Sequence, residues 1–129
     1  MAHPNIARTI FRDARAWANK PALIAGERSL SYGDFVQATH RLAAELERRG
    51  VRPLDRVAFL CADSIDYVLL SLAILSLDAA IVPISPGLML DECATLLDHL
   101  DVRHFLADAA AAPEPALGEA FRAPDLERA

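Results

Sequence analysis

The stretch Leu75-Ser76-Leu77-Asp78-Ala79-Ala80-Ile81-Val82-Pro83-Ile84-Ser85-Pro86 decides the fold class. It reads as the end of an apolar helix, a tight turn at Asp78, a buried strand over Ala79 to Ile84, and an exit marked by Pro86-Gly87. The helix feeding it is apolar nearly all round. Ile65, Val68, Leu69, Leu72, Ala73 and Leu75 form one broad face, and Leu70, Ile74 and Leu77 extend it. A helix of this kind is buried on more than one side. The uninterrupted apolar strand suits a parallel strand covered on both faces. Asp78 and Pro83 interrupt the run Tyr67 to Pro86. A spanning helix needs about 20 mostly uncharged residues, so no transmembrane segment is expected.

Outward from this stretch the pattern alternates. Arg56 to Cys61 is an apolar run of strand length, and Asp63 or Ser64 caps the helix that follows. Beyond Pro86-Gly87, a helix from about Leu90 turns Cys93, Leu96, Leu97 and Leu100 inward, and Arg103 to Ala107 is a last strand. Strand, helix, strand, helix, strand predicts an α/β fold. It is a βαβαβ unit with a parallel sheet, right-handed crossovers and helices on both faces.

The earlier third supplies the flanking elements. Asn5 caps a helix whose apolar positions are Ile6, Ala7, Ile10, Phe11 and Ala14, stopped by Asn19-Lys20-Pro21. Ala22-Leu23-Ile24 and Arg28 to Tyr32 form a β-hairpin around Gly26-Glu27. Ser31 caps a second helix with Asp34 at the capping-box spacing. Phe35, Ala38, Leu42, Ala43 and Leu46 line its inner face, and Gly50 ends it. From Asp108 the chain is rich in alanine and proline, with at most a frayed helix near Leu117 to Phe121. The expected organisation is one domain over residues 1–107 and a weakly structured tail over 108–129.

Bulk properties narrow the function classes. At 129 residues and 53% hydrophobic, the chain can bury one ordinary core and is not disordered. A formal net charge of -5 argues against nucleic acid, whose partners present a basic face. Cys61 and Cys93 fit no zinc or redox spacing, and they read as small core hydrophobes in a reducing, cytoplasmic compartment. Met1 to Phe11 carries no secretory pattern.

A doubly wound sheet binds ligands beyond the carboxyl ends of its strands. Those ends here are Cys61-Ala62-Asp63-Ser64, Ile84-Ser85-Pro86-Gly87 and Ala107-Asp108. Ser64 could meet a ligand, though helix capping accounts for it. Ser85-Pro86-Gly87 is too short and rigid to cradle phosphate. Neither G-x-G-x-x-G, nor G-x-x-x-x-G-K-[ST], nor G-x-S-x-G occurs. His99 and His104 are five apart across a turn, but a third metal ligand is not evident, so they read as surface or capping histidines. Asp98, Asp101 and Asp108 make a mild acidic patch on a solvated turn. No catalytic, cofactor-binding or metal-binding residue is assigned.

Four segments in order carry a family resemblance. They are Asn19-Lys20-Pro21-Ala22-Leu23-Ile24, Leu30-Ser31-Tyr32-Gly33-Asp34-Phe35, Gly50-Val51 with Asp55-Arg56-Val57-Ala58, and Leu75 to Pro86. Together, over about Asn5 to Ala107, they resemble the amino-terminal segment of AMP-binding, adenylate-forming enzymes. The nearest branch is the acyl-CoA synthetases and aryl-CoA ligases. The resemblance implies a partial amino-terminal domain of an enzyme that joins a carboxylic acid to AMP with ATP and magnesium and then transfers the acyl group to coenzyme A. The family's phosphate loop, its magnesium-binding glutamate, its ribose-binding aspartate and its mobile lysine would all fall beyond Ala129. The chain alone is therefore expected to hold no ATP, magnesium or CoA and to be catalytically incompetent.

At several turns the sequence departs from the family. Leu54, Asp78 and Asp101 stand where glycine is usual, Asp63 replaces an asparagine, and Met89 replaces a capping threonine. Asp78→Gly is thus expected to raise the melting temperature. Because the parent fold continues the sheet, exposed apolar surface and open strand edges are expected, leading to self-association or to pairing with a complementary synthetase chain. The alternative is a non-catalytic binding module that pairs with a separate synthetase. An independent small-ligand domain of flavodoxin-like shape is the weakest reading, lacking phosphate-binding turns.

Overall fold

The structure, a computed structural model, describes residues 4–60, 65–84, 90–107 and 120–122. Helix α1 spans Ile6–Ala14 and runs into a 3₁₀ turn over Arg15–Trp17. The Asn5 side chain caps it, accepting from the backbone N–H groups of Ala7 and Arg8. Strands β1 (Pro21–Ala25) and β2 (Arg28–Ser31) form the expected antiparallel hairpin as a two-stranded sheet of their own. Gly26, with φ of +59°, supplies the left-handed residue that its two-residue turn requires.

Helix α2 (Tyr32–Arg48) starts on the Ser31 hydroxyl, which accepts from the Asp34 N–H at 3.1 Å. It ends at Gly50, whose φ of +104° is open to glycine alone at low cost. Strand β3 (Arg56–Leu60), helix α3 (Ile65–Ser76), strand β4 (Ala80–Pro83), helix α4 (Leu90–His99) and strand β5 (His104–Ala107) follow in alternation. A further strand, β6 (Ala120–Arg122), pairs parallel with β5. The sheet order is β4-β3-β5-β6, and every pairing in it is parallel.

Two expectations change here. A frayed helix was expected near Leu117 to Phe121, but Ala120–Arg122 is strand, because the edge of β5 offers unpaired backbone groups for a parallel ladder. The strand over Ala79 to Ile84 was expected to be covered on both faces, but β4 lies at the sheet edge, with Ala80 and Pro83 exposed. Pro83 fits that place, since a residue without an N–H is tolerated on an edge strand. The covered stretch lies in β3, where Val57, Ala58 and Phe59 have no exposed surface.

The core lies between β3 and the helices α1, α2 and α3. Phe59, Leu46, Leu70, Ile74 and Val57 are its largest fully buried side chains. Phe59 meets Tyr67 of α3 edge-on at a ring separation of 5.0 Å. The buried Thr39 hydroxyl donates to the Phe35 carbonyl at 2.8 Å. Among the described residues no buried side-chain nitrogen or oxygen lacks a partner.

Candidate functional site

The strand order sets the topological switch point of the sheet. From β3 the chain passes through α3 to β4 on one side, then through α4 to β5 on the other. Right-handed crossovers in opposite directions put α3 and α4 on opposite faces. The switch therefore falls between β3 and β5, whose carboxyl-end residues Leu60 and Ala107 are paired. Ser64, Ser85, Pro86, Gly87 and Asp108, the sequence candidates at these ends, lie outside the described residues, as do Asp63 and Met89.

At the opposite end of the sheet, the residues that lead into β3, β4 and β5 are described. Asp55, just before β3, accepts from the Arg52 N–H at 2.9 Å and faces His104 Nε2 at 2.9 Å. A carboxylate can only accept, so Nε2 carries the hydrogen in this contact. The Arg52 N–H and then the His104 hydrogen bond hold the Asp55 carboxyl below its ordinary value of 3.8, against the opposing effect of burial. The backbone continues the tie: Ala80 N–H donates to the Asp55 carbonyl and Arg103 N–H to the Arg56 carbonyl. The Arg56 guanidinium also donates to the Leu100 carbonyl. These contacts join the entrances of β3, β4 and β5.

A second cluster surrounds Asp78. Its Oδ1 accepts from Asn5 Nδ2 at 2.8 Å and its Oδ2 from the Arg8 guanidinium at 2.9 Å. Asn5 Nδ2 also donates to the Leu75 carbonyl at 2.7 Å. Asn5 thus caps α1 with its oxygen and ties that helix to the α3–β4 turn with its nitrogen. Leu54, Asp78 and Asp101 have φ of 72°, 61° and 52° and are the non-glycine residues in the left-handed region among those described. They are the three positions where the family resemblance implies glycine.

The histidines go separate ways. His104 belongs to the Asp55 pair, while His99 borders a shallow groove with Glu92, Thr95 and Leu96. The His40 ring lies 4.7 Å from that of Phe11. Among the described residues no three His, Cys, Asp or Glu side chains converge. The Asp55–His104 and Asn5–Asp78 contacts escaped the sequence reading because they span 49 and 73 positions. The one local signal was an aspartate in a glycine's place at position 78.

Chemically, the described clusters tie strands and helices together, and the strand order is that of a doubly wound α/β sheet with its switch point between β3 and β5. Residues 10–127 match the family profile described as AMP-binding enzyme, and the chain belongs to that family. Among curated proteins it is 35% identical over 83 residues to malpibaldin synthetase of Mortierella alpina, covering 64% of this chain and 2% of that protein. It is 39% identical over 77 residues to 3-amino-2-hydroxy-4-methoxybenzoate diazotase of Streptomyces cremeus, covering 60% of this chain and 14% of that protein. The chain thus spans a small part of these relatives' length.

Solved structures share the fold. A benzoate CoA ligase from Burkholderia xenovorans LB400 superposes with a TM-score of 0.88 at 21% identity, over 98% of this chain and 29% of its own. O-succinylbenzoate coenzyme A synthetase from Bacillus subtilis, in complex with AMP, gives 0.86 at 19% identity, over 98% and 33%. An artificially fused adenylation-PCP di-domain from Klebsiella oxytoca gives 0.83 at 21% identity, over 95% and 23%.

Proposed function

We propose that this chain is the amino-terminal scaffold of an ATP-dependent enzyme that activates a carboxylic acid as its acyl-adenylate and passes the acyl group to a thiol. In that reaction the acid's carboxylate attacks the α-phosphorus of ATP and pyrophosphate leaves. The thiol sulfur then attacks the acyl carbon, giving a thioester, AMP and a released proton. Coenzyme A is the acceptor favoured by the sequence resemblance, and a carrier-bound thiol is the other acceptor, consistent with the likeness to an artificially fused adenylation-PCP di-domain. The observation carrying this proposal is the family match over residues 10–127, supported by a described sheet whose switch point falls between β3 and β5.

The described residues supply that sheet and not the chemistry. Phosphoryl and acyl transfer need charge neutralisation and donors aimed at the developing oxyanion. The sequence contains no phosphate-loop motif. The 129-residue chain alone is therefore proposed to be inactive and to act only with a complementary synthetase segment, in the same polypeptide or in another.

The test is to sequence the gene on both sides of this coding region and to express the longest product. ATP–pyrophosphate exchange is then measured with a panel of aliphatic and aromatic acids. Exchange by the longer protein and none by the 129-residue chain is the expected outcome. A longer product with a phosphate loop that activates no acid, or a coding region with no such segment nearby, would reject the proposal. Acyl-CoA formation on adding coenzyme A decides the acceptor.

A further inference from the structure

The side of α1 that carries Arg8, Arg12 and Arg15 borders a groove away from the carboxyl ends of the strands. This groove of about 360 Å³ runs between α1, its 3₁₀ extension and the start of α2. Phe11 and Val36 give it an apolar floor, and Tyr32 and His40 stand on the α2 side. Arg8, Arg12 and Arg15 line the α1 side, and none of the described lining residues is a carboxylate. The chain as a whole carries a net charge of -5; the three arginines run against that sign, with Asp78 and Asp13 offsetting two of them.

We propose that this groove docks an acidic amphipathic helix of a partner protein. The three arginines fall at i, i+4 and i+7, a stripe about 10 Å long on one side of the groove. A helix laid alongside it can present carboxylates at the same spacing while its apolar stripe enters the floor. That is the helix-in-groove mode of recognition. Two of the arginines already hold carboxylates, Arg8 with Asp78 at 2.9 Å and Arg12 with Asp13 at 3.1 Å. Both pairs are about half or more exposed, a setting in which an ion pair is weak and exchanges readily. Nucleic acid is disfavoured by the acidic remainder of the surface.

Trp17 provides the readout. It is the only tryptophan, is 45% exposed, and its ring lies 5.8 Å from Tyr32 on the groove wall. The full chain is titrated with a lactam-bridged helical peptide carrying Glu-Leu pairs at i, i+4 and i+7, while tryptophan fluorescence is followed. Saturable one-to-one binding is expected, weakened about tenfold or more in Arg12→Glu/Arg15→Glu and restored there by a peptide with lysine in place of glutamate. Arg15→Gln, a milder change, should weaken binding to an intermediate degree with an unchanged circular dichroism spectrum. No binding by the glutamate peptide, binding indifferent to these substitutions, or equal binding of the lysine peptide or a short oligonucleotide to the unaltered chain would overturn the proposal. The assay involves no adenylation, so its failure leaves the proposed reaction untouched.

Discussion

Leu54 holds a φ of +72° with 87% of its surface exposed. A side chain in the left-handed region costs roughly 1 kcal/mol or more, and so exposed a leucine recovers little by burial. Leu54→Gly should therefore raise the unfolding free energy by about 0.5 kcal/mol, after allowance for glycine's larger unfolded-state entropy. A higher urea midpoint with unchanged slope is the expected record. Asp78 shares the backbone strain but not the outcome. Its carboxylate is bonded to Asn5 and Arg8, and aspartate tolerates the left-handed region better than leucine does. Asp78→Gly relieves strain and removes both contacts. The structure thus reverses the sequence expectation, and the melting temperature should fall. Asp55 adds a pH dependence of definite sign. Its carboxyl titrates lower in the folded chain than its ordinary 3.8. Its stabilisation is therefore complete above about that pH and is lost as pH falls through the lower folded value. Asp55→Asn should be less stable than the parent chain at pH 7, with the gap closing below pH ~4. A constant gap from pH 7 to pH 3 in urea melts would contradict the Asp55–His104 tie.

At the level of elements, the two helix caps were legible because capping is local. Asn5 and Ser31 each stand one residue before a helix, and each accepts from its first turn. What a cap does beyond its own helix was not legible, and there the two differ. Ser31→Ala loses one capping bond and should cost about 1 kcal/mol. Asn5→Ala loses the cap and the two long-range bonds to Leu75 and Asp78, and should cost about 2 kcal/mol. Equal urea midpoints for the two variants would show that the α1–α3 tie contributes nothing. The hairpin, α1, α2 and the alternation of β3 through β5 followed from periodicity and turn residues. Strand order did not. An apolar run such as Ile81-Val82-Pro83-Ile84 says that a strand is apolar, and not whether it lies at the centre or the edge of its sheet. β6 was missed because three residues among alanines and prolines carry no period, and β5 alone selects their conformation.

For the whole molecule, the candidate crevice was legible in position but not in chemistry. The alternation of elements locates it at the carboxyl ends of the strands, while the reacting groups of the proposed enzyme have no counterpart among the described residues. The same topology leaves surface uncovered. Among the described residues no strand pairs with the outer side of β4, and Ile6, Ile24 and Leu54 are each more than 60% exposed. An edge strand presents a row of backbone groups ready to pair with another chain, and exposed apolar side chains add to the gain from covering it. The isolated 129-residue chain should accordingly associate as its concentration rises, visible as a growing weight-average mass in sedimentation equilibrium. Lysine on an edge strand opposes such pairing, and Ala80 is exposed on β4. Ala80→Lys should move the onset of association to about tenfold higher concentration, the effect of roughly 1.4 kcal/mol. Ala43→Lys is not a usable control because it lies in the core; Ala44→Lys, exposed on α2, makes the same substitution with the same change of charge away from β4. If Ala44→Lys suppresses association as strongly as Ala80→Lys, the effect of lysine is not specific to the β4 edge. If the parent chain stays monomeric throughout, the uncovered edge is held apart by its own surface, and pairing with a complementary segment must draw its free energy from elsewhere.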